Sequence, residues 1–346
     1  EHCKTPRWRF RAFVAALVCC LSAPRGPGVE CWTNWAGALA RRRRCTAAFC
    51  NTVGRAATAP AAAADFLPGS IAEHYAPLAL HKELFDSSRV DDWVRPDLRE
   101  ALSASIQAGD AGLLDVASLP EVRVEAPGVI SFACLEADFC QRVLDEVRHY
   151  AESGLPNLAP NSMNRYGIIL NDIGMRPTLS VLFRRYMKLI GARLFGDDAV
   201  RALELEGVAL GSDDWGGSTL SDHHSFAVWY QSDKDRGLDM HVDECDVTFN
   251  IGLTGDGDFL GGDLAFCGMY GDEAFRQLHH TCKQEVGRCI VHAGKRRHGV
   301  RDVEAGERAS LIMWTKSLVF RKTPAYRAKC GDFALGRRPL PQEGAP

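Results

Sequence analysis

The sequence predicts an α+β fold in which helices come first and an antiparallel sandwich or barrel of short strands follows. Three observations carry that expectation. In residues 136–153, Phe139, Val143, Val147 and Tyr150 fall at i, i+4, i+8 and i+11, one apolar stripe at helical period, and Gly154 stands where a helix would end. After about residue 205 the texture changes to short β-prone runs separated by Gly- and Asp-rich turns. The 346 residues are 46% hydrophobic and 25% charged, which leaves ample chain for a core and excludes a collagen-like, low-complexity or wholly disordered polymer.

Taken in order, the chain opens on a head of different composition. Residues 1–64 hold ten Lys and Arg against two acids, a charge of +8, so the total of −3 leaves −11 for the other 282 residues. No basic field covers the body, and no nucleic-acid partner is expected. The run Phe13–Leu21 behind Arg7, Arg9 and Arg11 is too short to span a bilayer, so no stable membrane span is expected. Its layout and the acid-poor stretch behind it suit a targeting peptide, secretory/ER or plastid, with a disordered segment as the alternative. Without such an address the protein would be cytoplasmic. Residues 53–70, with Ala61–Ala64 and two prolines, read as a linker.

The body divides into a helical region over 65–120, in which 81–107 is read as helical, and a region over 121–326 that holds two further helices, the strands and the candidate chemistry. A second helix starts at Pro177, suited to the first helical turn, and runs through Leu179, Leu182, Phe183, Tyr186, Leu189 and Leu194 to stop before Gly196. Strands are expected at Phe226–Tyr230, Val247–Leu253, Leu264–Cys267, Cys289–His292 and Ser310–Trp314, and residues 327–346 as a disordered tail. Thirteen cysteines include no C-x-x-C pair, which disfavours a zinc ribbon or a disulfide scaffold and favours buried thiols.

Chemistry concentrates in the strand-rich half, over about 222–318. His241-Val242-Asp243 places two ligand types at i and i+2, on one face if the backbone is extended. A second histidine from a distant strand would complete a 2-His-1-carboxylate facial triad, which leaves positions open on Fe(II) for a co-substrate and oxygen. His298 is the candidate, 55 residues beyond Asp243. Ten residues further lies Arg308, whose planar guanidinium could take a carboxylate bidentately, and alternation puts Ser310 on the same face. An H-x-D alone is a weak signal, and His81-Lys82-Glu83 offers a related decoy without partners at useful spacing. The combination of H-x-D, a distant His and R-x-S ten residues on is strong.

These residues carry a resemblance. From Val122 to about Tyr326 the chain resembles the 2-oxoglutarate- and Fe(II)-dependent oxygenases, closest to the prolyl 4-hydroxylase-like "2-oxoglutarate and iron-dependent oxygenase domain-containing" proteins. Besides the H-x-D, the matching segments are Glu125–Ile130, Asn161–Gly167, Val247–Asn250, Gly261–Leu264, His292–Gly294 with His298-Gly299, and Met313–Ser317. No resemblance is visible in 1–64 or in the helical part before 120. The family implies a double-stranded β-helix (jelly-roll) core flanked by N-terminal helices. It also implies Fe(II) held by His241, Asp243 and His298, and 2-oxoglutarate held by Arg308. Oxygen would decarboxylate 2-oxoglutarate to succinate while a C–H bond is hydroxylated, with a prolyl or lysyl protein side chain as first choice of substrate. L-ascorbate joins the candidate cofactors by the same resemblance.

Around this set, Tyr230 lies eleven residues before His241 and is a candidate for the co-substrate carboxylate, with a core tyrosine as the alternative. Thr248 and Asn250 share a strand face and are pocket candidates. His292 is expected in the core or beside the site, the His223-His224 and His279-His280 pairs as packed or solvated, and Cys245 as dispensable. Lys295-Arg296-Arg297 is expected to be a solvated loop. Two other functions compete: a non-catalytic β-helix binding module, and a zinc hydrolase using the same ligands. The hydrolase leaves Arg308 unexplained.

Overall fold

The computed structural model describes residues 70–196, 203–205, 208–210, 215–271, 273–278 and 280–334. The basic head, its targeting reading and nearly all of the linker lie outside them. The first described stretch is a chain of short helices: α1 (Ser70–Tyr75), α2 (Val90–Trp93), α3 (Pro96–Ala101) and α4 (Ser103–Ala108). The helical texture read over 81–107 is thus divided among several short helices. Pro96 is one reason, since the residue before a proline is driven extended and the proline restarts a helix.

Helix α5 (Ala137–Glu152) buries the stripe Phe139, Val143, Val147 and Tyr150. It ends where the sequence placed its stop, with Gly154 at φ 77°, a left-handed conformation that side chains with a Cβ disfavour. α6 (Arg176–Leu182) and α7 (Lys188–Phe195) form one continuous run through a wider π-type turn at Phe183–Met187, with Pro177 in the first turn. α8 (Pro324–Ala334) runs into the stretch expected as a disordered tail, so that boundary moves to Ala334 at the earliest.

Fourteen strands appear among the described residues: β1 (Arg123–Ala126), β2 (Val129–Ala133), β3 (Gly167–Ile169), β4 (Leu203–Leu205), β5 (Val208–Leu210), β6 (Asp222–Gln231), β7 (Leu238–His241), β8 (Val247–Gly252), β9 (Phe259–Gly261), β10 (Leu264–Met269), β11 (His280–Cys282), β12 (Arg288–Ala293), β13 (Arg296–Val300) and β14 (Val303–Lys316). All five expected strands are present, most of them longer than expected. The larger sheet has the order β1-β2-β12-β8-β14-β6-β3, with β9 also on β14; a smaller one has the order β11-β10-β13-β7. Every pairing in both is antiparallel.

Period-two alternation sorts the larger sheet's side chains into two faces. Val247, Phe249, Ile251, Leu311 and Met313 join one apolar cluster with residues of the helical layer such as Leu98, Phe139, Leu182 and Ile190. Phe226, Val228, Tyr230, Ile312 and Trp314 face the other way and pack with Leu264, Phe266 and Val300 of the smaller sheet. Helices therefore cover one face of the larger sheet, and the smaller sheet covers the other. Phe249 is fully buried at the first of these layers. Phe249→Ala should destabilise by about 3–5 kcal/mol in urea unfolding.

Polar pins join the helical layer to the sheet. The His223 ring lies between the hydroxyls of Ser180 on α6 and Ser225 on β6, at 2.9 and 2.8 Å. Burial pushes its pKa down to about 4. The folded ring therefore stays neutral while an unfolded imidazole titrates near 6.5. Stability is full above about pH 6.5 and is lost as the pH falls toward 4. His223→Gln should flatten the acid limb of a thermal-midpoint profile over that window.

Candidate metal centre and anion pocket

β7 and β13 are neighbours in the smaller sheet, and their register puts His298 directly opposite His241. Asp243 follows β7 in a turn held by the hairpin between β12 and β13: its N–H donates to Gly294 O at 2.7 Å, and Lys295 Nζ donates to its carbonyl at 2.6 Å. Gly294 is required by closeness, because a Cβ there would stand 2.3 Å from the Cys245 carbonyl oxygen. The three side chains bring one ligand atom each to within 4.8 Å of one another. His241 Nε2 is 3.4 Å from Asp243 Oδ1, and His298 Nε2 is 3.6 Å from Oδ2.

Their hydrogen bonds set the tautomers. His241 Nδ1 faces Asp239 O at 2.7 Å, and His298 Nδ1 faces Arg296 O at 2.9 Å. A carbonyl only accepts, so each Nδ1 carries the hydrogen and each Nε2 presents a lone pair toward the carboxylate. Burial pushes His298 down to about 3, keeping it neutral. Burial acts on Asp243 in the opposite sense, but the neighbouring imidazoles outweigh it and hold the carboxyl well below the ordinary carboxylate range. Two lone pairs and a carboxylate converging on one point repel one another unless a cation lies between them. The donor set fits a divalent metal with open positions.

Support comes from behind. Thr248 Oγ1 donates to Asp243 Oδ2 at 2.5 Å, and the Cys245 thiol lies 3.0 Å from Thr248 Oγ1, placed to donate to it. Burial pushes that thiol up, so it remains protonated. Backing groups of this kind orient metal ligands.

The same pocket runs inward between the sheets to Arg308 and Tyr230, and Thr248 and Asn250 line it. Arg308 is 1% exposed. Its Nη1 donates to Ser310 Oγ at 3.0 Å, as strand alternation foretold, while Nε and Nη2 have no partner. Burial pulls its pKa down from the usual guanidinium range. A buried cation with two idle N–H groups is a poor structural element and a good anion receptor. Tyr230 packs its ring 5.7 Å from the guanidinium carbon.

The structure thus gathers His241, Asp243, His298, Arg308, Tyr230, Thr248 and Asn250 around one pocket, with Ser310 directly behind Arg308. His292 is fully buried beside His298, ring centroids 4.5 Å apart, and lines no part of the pocket. One expectation is corrected: Lys295 and Arg296 are 1% and 5% exposed, not solvated. They are drawn in by carbonyls of Asp243, Cys267 and Pro127. Three supporting residues were not singled out from the sequence. Asn161 and Asn164 line the pocket, and Gln284 accepts from Ser310. Only the first two lay in a segment of the resemblance. Among the described residues no helix is long and apolar enough to cross a membrane, and all cysteines from Cys134 to Cys330 are buried free thiols.

A family profile described as an OGFOD2-like domain matches residues 71–199, which includes the helical part where the sequence motifs showed no resemblance. The chain is 29% identical over 286 residues to the "2-oxoglutarate and iron-dependent oxygenase domain-containing protein CP2" of Arabidopsis thaliana, covering 78% of this chain and 64% of that protein. It is 29% identical over 256 residues to the "2-oxoglutarate and iron-dependent oxygenase domain-containing protein 2" of Homo sapiens, covering 73% and 66%. Among solved structures it resembles a Pseudomonas putida prolyl-4-hydroxylase at 17% identity and a TM-score of 0.37, covering 62% of this chain and 98% of that one. The chain spans just under two thirds of the length of these two curated relatives.

Proposed function

Because this chain is similar over most of its length to 2-oxoglutarate and iron-dependent oxygenase domain-containing proteins, we propose that it is a dioxygenase of that family. In this reading it couples the oxidative decarboxylation of 2-oxoglutarate to hydroxylation of a C–H bond. The two facing antiparallel sheets are read as the double-stranded β-helix of that family. The observation that carries the proposal is the shared pocket: an unpartnered buried guanidinium at one end and a His–Asp–His set at the other. A zinc hydrolase needs the second feature and has no use for the first.

Fe(II), once bound, would supply the oxygen chemistry. The chain's own groups do the rest. His241, Asp243 and His298 hold the metal through two nitrogens and one oxygen. Arg308 Nε and Nη2 clamp the far carboxylate of 2-oxoglutarate, and Tyr230, whose ring lies 5.7 Å from the guanidinium carbon, lines the same pocket. Phe226, Val228, Leu264, Ile312 and Trp314 form apolar walls that limit water around the charged contacts. A protein side chain, prolyl or lysyl, is the substrate class proposed, with ascorbate as a candidate accessory.

Anaerobically purified protein given Fe(II), 2-oxoglutarate and oxygen should form succinate, coupled or uncoupled. Stoichiometric iron binding with no succinate would sink the reading. The substrate follows from lysate peptides that gain one oxygen atom only with active enzyme. Thr248→Val should weaken metal affinity by roughly 10–100-fold, the usual cost of losing a group that orients a ligand. A metal titration measures this directly.

A further inference from the structure

The donors at the bottom of the pocket have their directions set by other residues. Arg308 gives Nη1 to Ser310 Oγ at 3.0 Å, and Ser310 gives its hydrogen to Gln284 Oε1 at 2.6 Å. Gln284 is 4% exposed, and its Nε2 meets the backbone carbonyls of Thr254 and Ala309, both at 2.8 Å. Carbonyls only accept, so that end of the amide is the nitrogen, and a flip would set oxygen against oxygen. Oε1 is therefore left for Ser310, whose hydrogen is committed to it and whose lone pair receives Arg308. The guanidinium is pinned by Nη1, leaving Nε and Nη2 without a partner.

A second chain of the same kind ends on Tyr230. Asn161 Oδ1 accepts from the backbone N–H groups of Met163 and Asn164 at 2.9 and 2.8 Å. Its nitrogen must then point away, and it donates to Asn164 Oδ1 at 3.0 Å. That leaves Asn164 Nδ2 to donate to Tyr230 Oη at 2.9 Å. Tyr230 thus accepts from Asn164, and its own hydroxyl hydrogen has no acceptor among the described residues.

We propose that Gln284 and Asn164 are positioning residues for 2-oxoglutarate: each relays a fixed backbone pattern into a donor, one to Arg308 and one to Tyr230, so that the idle hydrogens of both can meet one carboxylate. The inference rests on the functional reading above. Its chemical content is direction. A carboxylate only accepts, so a tyrosine that had spent its hydrogen on the protein would present lone pairs to it and repel it.

The test measures binding without turnover, by calorimetry of 2-oxoglutarate with the Mn(II)-loaded protein. Asn164→Asp replaces the donor with an acceptor that takes the Tyr230 hydrogen. Gln284→Glu removes the amide hydrogens from two carbonyls and sets a carboxylate near Arg308. Each should weaken 2-oxoglutarate binding about tenfold or more, the value of one hydrogen bond to a charged group, with Mn(II) affinity unchanged.

Coupling separates direction from damage. Tyr230→Phe should weaken binding in the parent and cause no further loss beside Asn164→Asp. Ser310→Ala should likewise weaken binding in the parent and cause no further loss beside Gln284→Glu. Asn164 sits in a loop and decides the matter if Gln284→Glu does not fold. Parent-like binding by the variants, additive effects, or an equal loss of Mn(II) affinity would overturn this inference alone. A parent protein that binds no 2-oxoglutarate would overturn the functional reading, and this inference with it.

Discussion

Asp243→Ala is expected to leave a folded protein that retains no iron after gel filtration and forms no succinate. The fold survives because the turn at 243 is held through its backbone, by the Gly294 carbonyl and the Lys295 ammonium, and neither contact uses the carboxylate. The metal does not survive. Asp243 is the only anionic ligand of the set, and it faces both imidazoles at 3.4 and 3.6 Å. Two neutral nitrogens without it offer a divalent cation no charge to neutralise. Losing a group that merely orients a ligand costs about 10–100-fold in affinity, and losing the ligand itself should exceed that range. Asp243→Asn separates charge from shape: it keeps a side chain of the same size and should fail in the same way. Elemental analysis of anaerobically reconstituted protein, paired with the succinate assay, reads both outcomes. Retained iron with parent-like turnover would remove Asp243 from the site.

How far this site could be read from the sequence follows from strand geometry. His241 and Asp243 are two residues apart, and Arg308 and Ser310 are two apart on β14, so alternation alone relates the members of each pair. The step from H-x-D to His298 needed a tertiary pattern, which the spacing to Arg308 supplied. What escaped is non-local by nature. Gln284 lies between β11 and β12 with no motif around it, and its value comes from carbonyls of Thr254 and Ala309 on other segments. Lys295 looked solvated because three consecutive cations usually are; a tight hairpin and the carbonyl of Asp243 draw it inside. The short helices of 70–108 each bury one or two residues, for example Tyr75, Trp93 and Leu98, too few per element to form a periodic stripe. That layer was legible to a family comparison and not to periodicity.

Arg308→Ala is expected to raise the concentration of 2-oxoglutarate needed for half-maximal succinate formation by roughly two orders of magnitude, with iron binding intact. Hydrogen bonds to charged groups contribute about 1.5–3 kcal/mol each, and Arg308 has two N–H groups, Nε and Nη2, with nothing else to hold. Losing both corresponds to roughly 10²-fold or more. Tyr230 still supplies one donor, which argues against complete loss. Arg308→Lys should fall between, because an ammonium keeps the charge but lacks the planar fork. The folded protein gives a second readout that needs no turnover. With its carboxylate partner bound, the parent's buried guanidinium is neutralised, so 2-oxoglutarate should raise the thermal midpoint of the metal-loaded parent by mass action. Arg308→Ala should lose most of that rise at the same ligand concentration. Its own midpoint without ligand reflects two opposed changes, a cavity left by a large side chain and relief from an unpaired buried charge. The ligand-induced rise is therefore the diagnostic quantity, and an undiminished rise in Arg308→Ala would show that the far carboxylate is held elsewhere.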